Sequence, residues 1–347
     1  MLSPNRRYDI DWIRVIAIGL LMIYHCAIGF QPWGMFIGFI TNQDSLPSLW
    51  PAMMMLNVWR IPLLFFVSGM GFFLAFQKRN LPQLLLERGK RIGIPLIFGS
   101  FCIVPIHEFI RQSYYGQATR YSPGMSHLWF LGNILLYVLL LCLLFNYLKN
   151  KPNSTIALAL KKFFGSIGGI ALTFILFVAE TNLLDPRPFE LYAFTLHGLI
   201  IGLLAFLLGF LFMYAGDPFW VFIRKYFWVF LLLSIGLYIN RYIQIPMQQP
   251  TYLLSIESNG WIFGVLGLAS RYLNRTGKVL TYLKSAAYPV YIIHMAFLFL
   301  GSKLLFPLMM PAECKYILLL LFTVGGSLLV YELLVRRVKV LRVLLGG

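Results

Sequence analysis

The residues best suited to chemistry stand at the start of the chain, in Tyr8-Asp9-Ile10-Asp11-Trp12-Ile13-Arg14 and the apolar run that follows it to Tyr24-His25. Ionisable groups inside an apolar helix that crosses a membrane are costly and face the bundle interior or a wet cavity by default. At 100° per residue the path from Arg14 to His25 turns through ~1100°, about 20° past three full turns, so both side chains share one face roughly 16 Å apart along the axis. An imidazole that titrates near neutrality can take a proton from a hydroxyl or carry a group covalently. The plainer readings are an arginine snorkelling from a helix end and a histidine bonded to a neighbouring helix. The shared face favours a functional cavity, with His25 and Arg14 as its catalytic candidates.

Other candidates are less self-sufficient. Glu87-Arg88-Gly89-Lys90-Arg91 is a basic turn between two apolar runs; guanidinium forks suit phosphate oxygens, although basic loops also simply mark the cytoplasmic face. Ser68, in Phe65-Phe66-Val67-Ser68-Gly69-Met70-Gly71, can bond a ligand or a neighbour, and its flanking glycines permit close helix contact. His127 opens His127-Leu128-Trp129-Phe130-Leu131. Ser285, Tyr288, Tyr291 and His294 advance by threes, so they wind around their helix and spacing alone does not make them converge. His107-Glu108 resembles an acid–base pair but reads better as a pair facing outer water, and His197 is a histidine at a span entrance with no partner in the sequence. Cys26, Cys102, Cys142 and Cys314 lack paired metal-ligand spacing and read as buried free thiols; no metal site is expected.

The elements that must position these groups are apolar helices. Hydrophobic residues make up 59% of the chain, charged residues 12%, and the mean hydropathy is +0.77, which excludes an ordinary soluble domain. Apolar runs at 12–30, 51–76, 93–110, 127–148, 163–183, 193–214, 228–243, 255–270, 285–305 and 315–335 predict an all-α, polytopic membrane bundle of about ten spans. The runs at 228–243 and 255–270 are the shortest and most polar. The net charge of +17 does not point to nucleic acid, because the basic residues lie in short loops between spans. Arg6, Arg7, Lys78, Arg79, Arg88, Lys90, Arg91, Lys149, Lys151, Arg224, Lys225, Arg271, Arg275, Arg336 and Arg337 fall on one side; Arg111, Arg120 and Arg187 are among the few on the other. The bias places both termini in the cytoplasm. Arg6 and Arg7 before an apolar run, with Ala27-Ile28-Gly29 after it, resemble a secretory signal, but the charges at the entry and His25 within it favour an uncleaved first span. No loop is long enough for a soluble domain, so residues 1–347 read as a single membrane domain, and no feature sets an oligomeric state.

The Asp-x-x-Arg opening, the Arg14-to-His25 spacing, Ser68-Gly69, the Arg88-x-x-Arg91 loop, the stretch from His127 to Leu131, and Ser285, Tyr288, Tyr291 and His294 together resemble the family 3 membrane acyltransferases. These include glucan succinyltransferases and polysaccharide O-acetyltransferases. The resemblance is densest over residues 6–100 and reduces to hydropathy in the middle of the chain. It implies transfer of an acyl group, acetyl or succinyl, from cytoplasmic acyl-CoA to a hydroxyl of an extracytoplasmic glycan, in a bacterial cytoplasmic membrane. It further implies His25 as the catalytic histidine with Arg14 as its motif partner, and Arg88, Lys90, Arg91 and Ser68 for acyl-CoA. His127, Tyr291 and His294 would contact the acceptor. Acyl-CoA is then a co-substrate, the glycan and the lipid bilayer are the other partners, and no cofactor is tightly bound. The alternatives from other classes are a transporter or flippase using Arg14 and His25 as a substrate or proton site, and a scaffold subunit without chemistry.

Overall fold

The computed structural model describes residues 7–244 and 249–347; the predicted cytoplasmic Arg6 lies outside them. The described residues form helices joined by loops, and no strand. In chain order the α-helices are α1 (Tyr8–Ile28), α2 (Trp50–Asn57), α3 (Arg60–Gln77), α4 (Leu81–Arg88), α5 (Ile94–Phe98), α6 (Val104–Tyr114), α7 (Trp129–Asn150), α8 (Thr155–Phe164), α9 (Ile167–Leu184), α10 (Leu196–Ala215), α11 (Asp217–Ile243), α12 (Thr251–Tyr272), α13 (Lys278–Leu305), α14 (Ala312–Val330) and α15 (Lys339–Leu344). Helix starts follow local chemistry: Ser154, Ser166 and Thr195 accept backbone N–H bonds at the N-termini of α8, α9 and α10.

Among the described residues, nine helices or continuous helical stretches are long and apolar enough to cross a membrane, and the chain is a multi-pass membrane protein. The predicted span 228–243 is the second half of a 27-residue helix, α11. The predicted span 255–270 is α12, 22 residues long, whose composition falls short because Ser255, Glu257, Ser258 and Asn259 crowd its first half. All four are buried. The run at 93–110 belongs to a 34-residue stretch, Leu81–Tyr114, widened by two π-helical turns at Gly89–Gly93 and Gly99–Ile103.

Residues divide into two compact units. Unit 1 comprises residues 1–14, 54–86 and 133–277. Within it α3 and α10 pack backbone to backbone: a Cβ on Gly69 would lie 1.9 Å from the Phe206 carbonyl oxygen, and one on Gly209 would lie 2.0 Å from that of Phe66. Small residues give such close approach in membranes, and a cluster of Phe66, Phe72, Phe206, Phe210 and Phe212 fills the space alongside. Arg7 ties the chain start to this unit through an ion pair with Asp9, a bond to Ser270 Oγ at 3.2 Å and a position over the Trp220 ring.

Unit 2 comprises residues 15–53, 87–132 and 278–347. Its core joins the second half of α1 to α13 and α14 through Cys26, Phe30, Ile40, Met295, Leu298, Phe299, Phe306 and Leu319. Lys315, buried here, donates to the Phe306 carbonyl at 2.7 Å and to Asn42 Oδ1 at 3.2 Å. Of the four cysteines, Cys26 alone is buried; Cys102 and Cys314 are exposed on their helices, contrary to the expectation of buried thiols. Apolar runs record depth in a membrane, whereas inward orientation depends on which face a neighbour covers.

Candidate active site

Unit 2 collects four of the chain's five histidines. His25, on the last turn of α1, is half-buried, and its Nδ1 lies 3.0 Å from Nε2 of His294 on α13. The two rings are nearly parallel, at 15°, with centroids 5.3 Å apart. His294 Nδ1 lies 2.6 Å from the Tyr291 carbonyl oxygen one turn earlier. A carbonyl only accepts, so Nδ1 of His294 carries a proton and, in the neutral ring, its Nε2 does not. His25 Nδ1 is therefore the donor of the bond between the rings. In neutral His25 the lone pair then belongs to Nε2, so a chain of two hydrogen bonds starting from a helix carbonyl fixes the tautomer of the first-helix histidine.

The same reasoning sets His127. It sits in a short 3-10 turn, Ser126–Leu128, and its Nε2 lies 3.0 Å from the Ile292 carbonyl of α13. The proton is on Nε2, which leaves a lone pair on Nδ1, buried and without a hydrogen-bond partner among the described residues. Tyr291 donates its hydroxyl to the His127 carbonyl, and the His127 and His294 rings meet edge to face at 5.2 Å. Ser126 holds a left-handed backbone, φ 41°, which a non-glycine residue adopts only where its surroundings enforce it. Its hydroxyl lies 3.2 Å from Nε2 of His107, a fully buried side chain on α6 whose ring is 5.6 Å from that of His127. Nδ1 of His107 is likewise buried without a partner among the described residues.

His107 thus enters the site, whereas the sequence suggested a pair with Glu108 facing water. Glu108 binds Arg111 at 2.9 Å and its Oε1 stays 3.9 Å from His107 Nε2, so the pair is present, but the His107 ring is buried and not turned to water. The signal lay in the register: Ser100, Val104 and His107 are all buried and fall on one helical stripe. Tyr291 and His294, which spacing could not bring together with His25, do converge, because α13 passes close to both α6 and the end of α1 within this unit. Ser285 and Tyr288 do not join them: the Ser285 hydroxyl donates to the Thr281 carbonyl, and the Tyr288 ring lies against Gly346.

The remaining candidates lie elsewhere. Arg14 belongs to unit 1, its Nη1 3.7 Å from Asp11 Oδ1. A Cβ on Gly71 would come within 2.6 Å of Arg14 Nη2, so the absence of a side chain there leaves room for the guanidinium. Gly71→Ala is expected to keep membrane abundance and thermal stability while swinging Arg14 out of place; loss of catalytic turnover at unchanged melting temperature is the result to look for, and unchanged turnover would show that this placement of Arg14 is idle. Ser68, also in unit 1, spends its hydroxyl proton on the Leu64 carbonyl at 2.7 Å, as a helix-packing serine does. In unit 2, Lys90 and Arg91 are exposed and Arg88 is half-buried; Arg91 lies 3.3 Å from Glu87. No group of histidine, cysteine and carboxylate side chains among the described residues could hold a metal ion.

The acyltransferase domain of acyltransferase family 3 matches residues 7–332. No curated protein and no solved structure matches the chain.

Proposed function

We propose, since this chain belongs to acyltransferase family 3, that it transfers an acetyl or succinyl group from cytoplasmic acyl-CoA to a hydroxyl of an extracytoplasmic glycan, at a bacterial cytoplasmic membrane. The observation that carries this reading is the fixed tautomer of His25. Transfer from a thioester to a hydroxyl needs a base at the hydroxyl proton, and Nε2 of His25 holds the lone pair that the His294 bond assigns to it.

The glycan oxygen attacks the thioester carbonyl carbon while its proton passes to His25 Nε2. The C–S bond breaks, and the departing coenzyme A thiolate takes that proton back, so His25 ends neutral. His294 accepts from His25 Nδ1 throughout and stabilises the transient imidazolium, because a hydrogen bond donated by a charged group is about twice as strong as one between neutral groups. His127 Nδ1, a buried lone pair, suits the acceptor's hydroxyl, and His107 and Tyr291 hold that ring in place through Ser126 and the His127 carbonyl. Arg88, Lys90 and Arg91 suit the phosphates of coenzyme A: they are basic, close in sequence and at least partly exposed.

The test is mass spectrometry of surface and periplasmic carbohydrate from a strain lacking the chain and from the same strain complemented with it. An acyl mass increment that disappears and returns with the chain is expected, and its size identifies the group. Arg88→Gln with Arg91→Gln is expected to raise KM for acyl-CoA about a hundredfold, each lost phosphate contact taken as roughly 1.4 kcal/mol, a factor of ten, with kcat little changed. If no carbohydrate changes mass, the acyltransfer reading to a glycan fails and transport becomes the better account.

A further inference from the structure

The connection that follows α1 folds back onto the site. After a 3-10 turn at Pro32–Ile37, Gly38 takes a left-handed backbone, φ 85°, which glycine adopts without strain. The chain reverses there, and the Phe39 ring comes to rest against His25, with centroids 5.6 Å apart and planes at 65°. Phe39 also meets Phe299 of α13 at 5.8 Å, and Phe299 meets His107 at 5.1 Å. The contacts close on themselves. His25, His294, His127 and His107 form a row in which each ring lies 5.2 to 5.6 Å from the next, and the two phenylalanines join its ends. Tilted and edge-on pairs at these separations are favourable aromatic geometry. His25, His107, His294 and Phe299 stand on helices and His127 on the turn before α7, whereas Phe39 is carried by the connection between α1 and α2.

Connections between helices are ordinarily the mobile parts of a fold, but this one is tied down on both sides of Phe39. The Tyr115 hydroxyl, just past the end of α6, donates to the Phe39 carbonyl at 3.2 Å and accepts from the Thr41 N–H at 3.2 Å. The Asn42 N–H donates to the carbonyl of Gly29, one helical turn past His25, at 2.7 Å, and the Leu46 N–H donates to the Phe30 carbonyl at 3.0 Å. Lys315 of α14 bonds the Asn42 side chain at 3.2 Å, and Gln31 Nε2 donates to the Leu46 carbonyl at 3.0 Å. Ile40, Asn42 and Leu46 are buried, and every one of these residues belongs to unit 2. The fixing has a use at His25. Its bond to His294 sets which nitrogen carries the proton, but one hydrogen bond leaves the ring able to tilt about it. The Phe39 ring opposes that tilt and puts hydrocarbon beside the imidazole where water would otherwise stand.

We infer that Phe39 is a positioning residue for His25, and that segment 39–46 is a water-excluding cover which makes this chain a transferase in place of a thioesterase. The reaction it suppresses needs no further reagent. A water oxygen attacks the thioester carbonyl carbon, one of its protons passes to His25 and on to the departing coenzyme A thiolate, the C–S bond breaks, and the free acid leaves. A base placed for a sugar hydroxyl serves water equally well, so discrimination between the two has to come from keeping water out. The cover is read from contacts within unit 2 alone; that it protects a thioester rests on the function proposed above.

Full-length protein in lipid nanodiscs is treated with diethyl pyrocarbonate, which carbethoxylates neutral imidazole, and each histidine is followed by peptide mass spectrometry. Phe39→Ala is expected to label His25 about tenfold faster than the wild type, with labelling of His197, in unit 1, unchanged. Tyr115→Phe removes the clamp without touching either ring, so it should fold even where Phe39→Ala does not, and it should speed His25 labelling about threefold. In turnover, both variants should raise the ratio of acyl-CoA hydrolysis to glycan acylation by similar factors, with KM for acyl-CoA unmoved. Phe39→Leu, which keeps the apolar bulk, should recover most of the wild-type ratio. The inference is overturned if His25 labels at the wild-type rate in both variants, if His25 and His197 accelerate together, or if the hydrolysis ratio stays put. The two readings fail separately. Labelling needs no turnover, so faster labelling of His25 in a chain that transfers no acyl group sinks the function proposed above and leaves the cover. Glycan acylation with unmoved labelling and hydrolysis sinks the cover alone.

Discussion

His25→Ala, at matched membrane levels, is expected to lower acyl transfer by about 10²- to 10⁴-fold, the range a positioned general base contributes. The imidazole is held by one strong constraint: Nδ1 is spent on His294, and His294 is spent in turn on the Tyr291 carbonyl. Only Nε2 can act as the base of the neutral ring, so no other atom of this side chain can substitute. His294 contributes through His25, and its variants separate position from chemistry. His294→Ala should lower kcat with KM little moved, because it frees His25 to adopt the wrong tautomer, and His294→Gln, whose amide oxygen can still accept from His25 Nδ1, should recover part of the loss. Single-turnover rates in the purified protein decide the matter. Full activity in His25→Ala would remove the base from the proposed mechanism, and equal damage from alanine and glutamine at position 294 would reduce His294 to a packing residue.

Why the sequence disclosed His25 but not its setting follows from the range of each signal. Membrane helices are written locally, as apolar runs, and α1, α3, α10, α13 and α14 fall where those runs lie. A stripe within one helix is equally local, which is why Arg14 and His25 could be placed on one face. The partnership of His25 with His294 joins residues far apart in the chain, and it depends on how α13 packs against the end of α1, which no periodicity records. The same limit hid the partner of His197, whose Nδ1 lies 2.7 Å from Glu180 Oε1 in unit 1. α12 shows the reverse case: its polar first half weakens the apolar signal because other helices of unit 1 surround it, so its buried serines, Asn259 and Glu257 meet protein instead of lipid. The burial of His107 was missed for a subtler reason. A His-Glu dipeptide invites pairing in water, but adjacent positions on a helix point about 100° apart, and here the imidazole is buried while the carboxylate, still 3.9 Å from it, also meets Arg111.

The glycines of α3 offer the sharpest contrast between folding and function, and Gly69→Ala is expected to be among the most damaging single substitutions for stability. A Cβ at Gly69 would lie 1.9 Å from the Phe206 oxygen, 2.8 Å from its carbonyl carbon and 3.1 Å from its Cα. All three are backbone atoms of α10, so no side-chain rotation relieves the overlap and the two helices must move apart. Separation loosens the reciprocal contact at Gly209 and the stacked rings of Phe66 and Phe212, and overpacking of this kind costs about 3 kcal/mol or more. Gly71, two positions along, meets only the far end of Arg14, a flexible side chain that can give way. Gly69→Ala should therefore lower the thermal midpoint in detergent by several degrees or abolish membrane accumulation, while Gly71→Ala melts as the wild type does. A wild-type midpoint for Gly69→Ala would mean that α3 and α10 do not approach as closely as their paired glycines imply, and the packing at the centre of unit 1 would have to be redrawn.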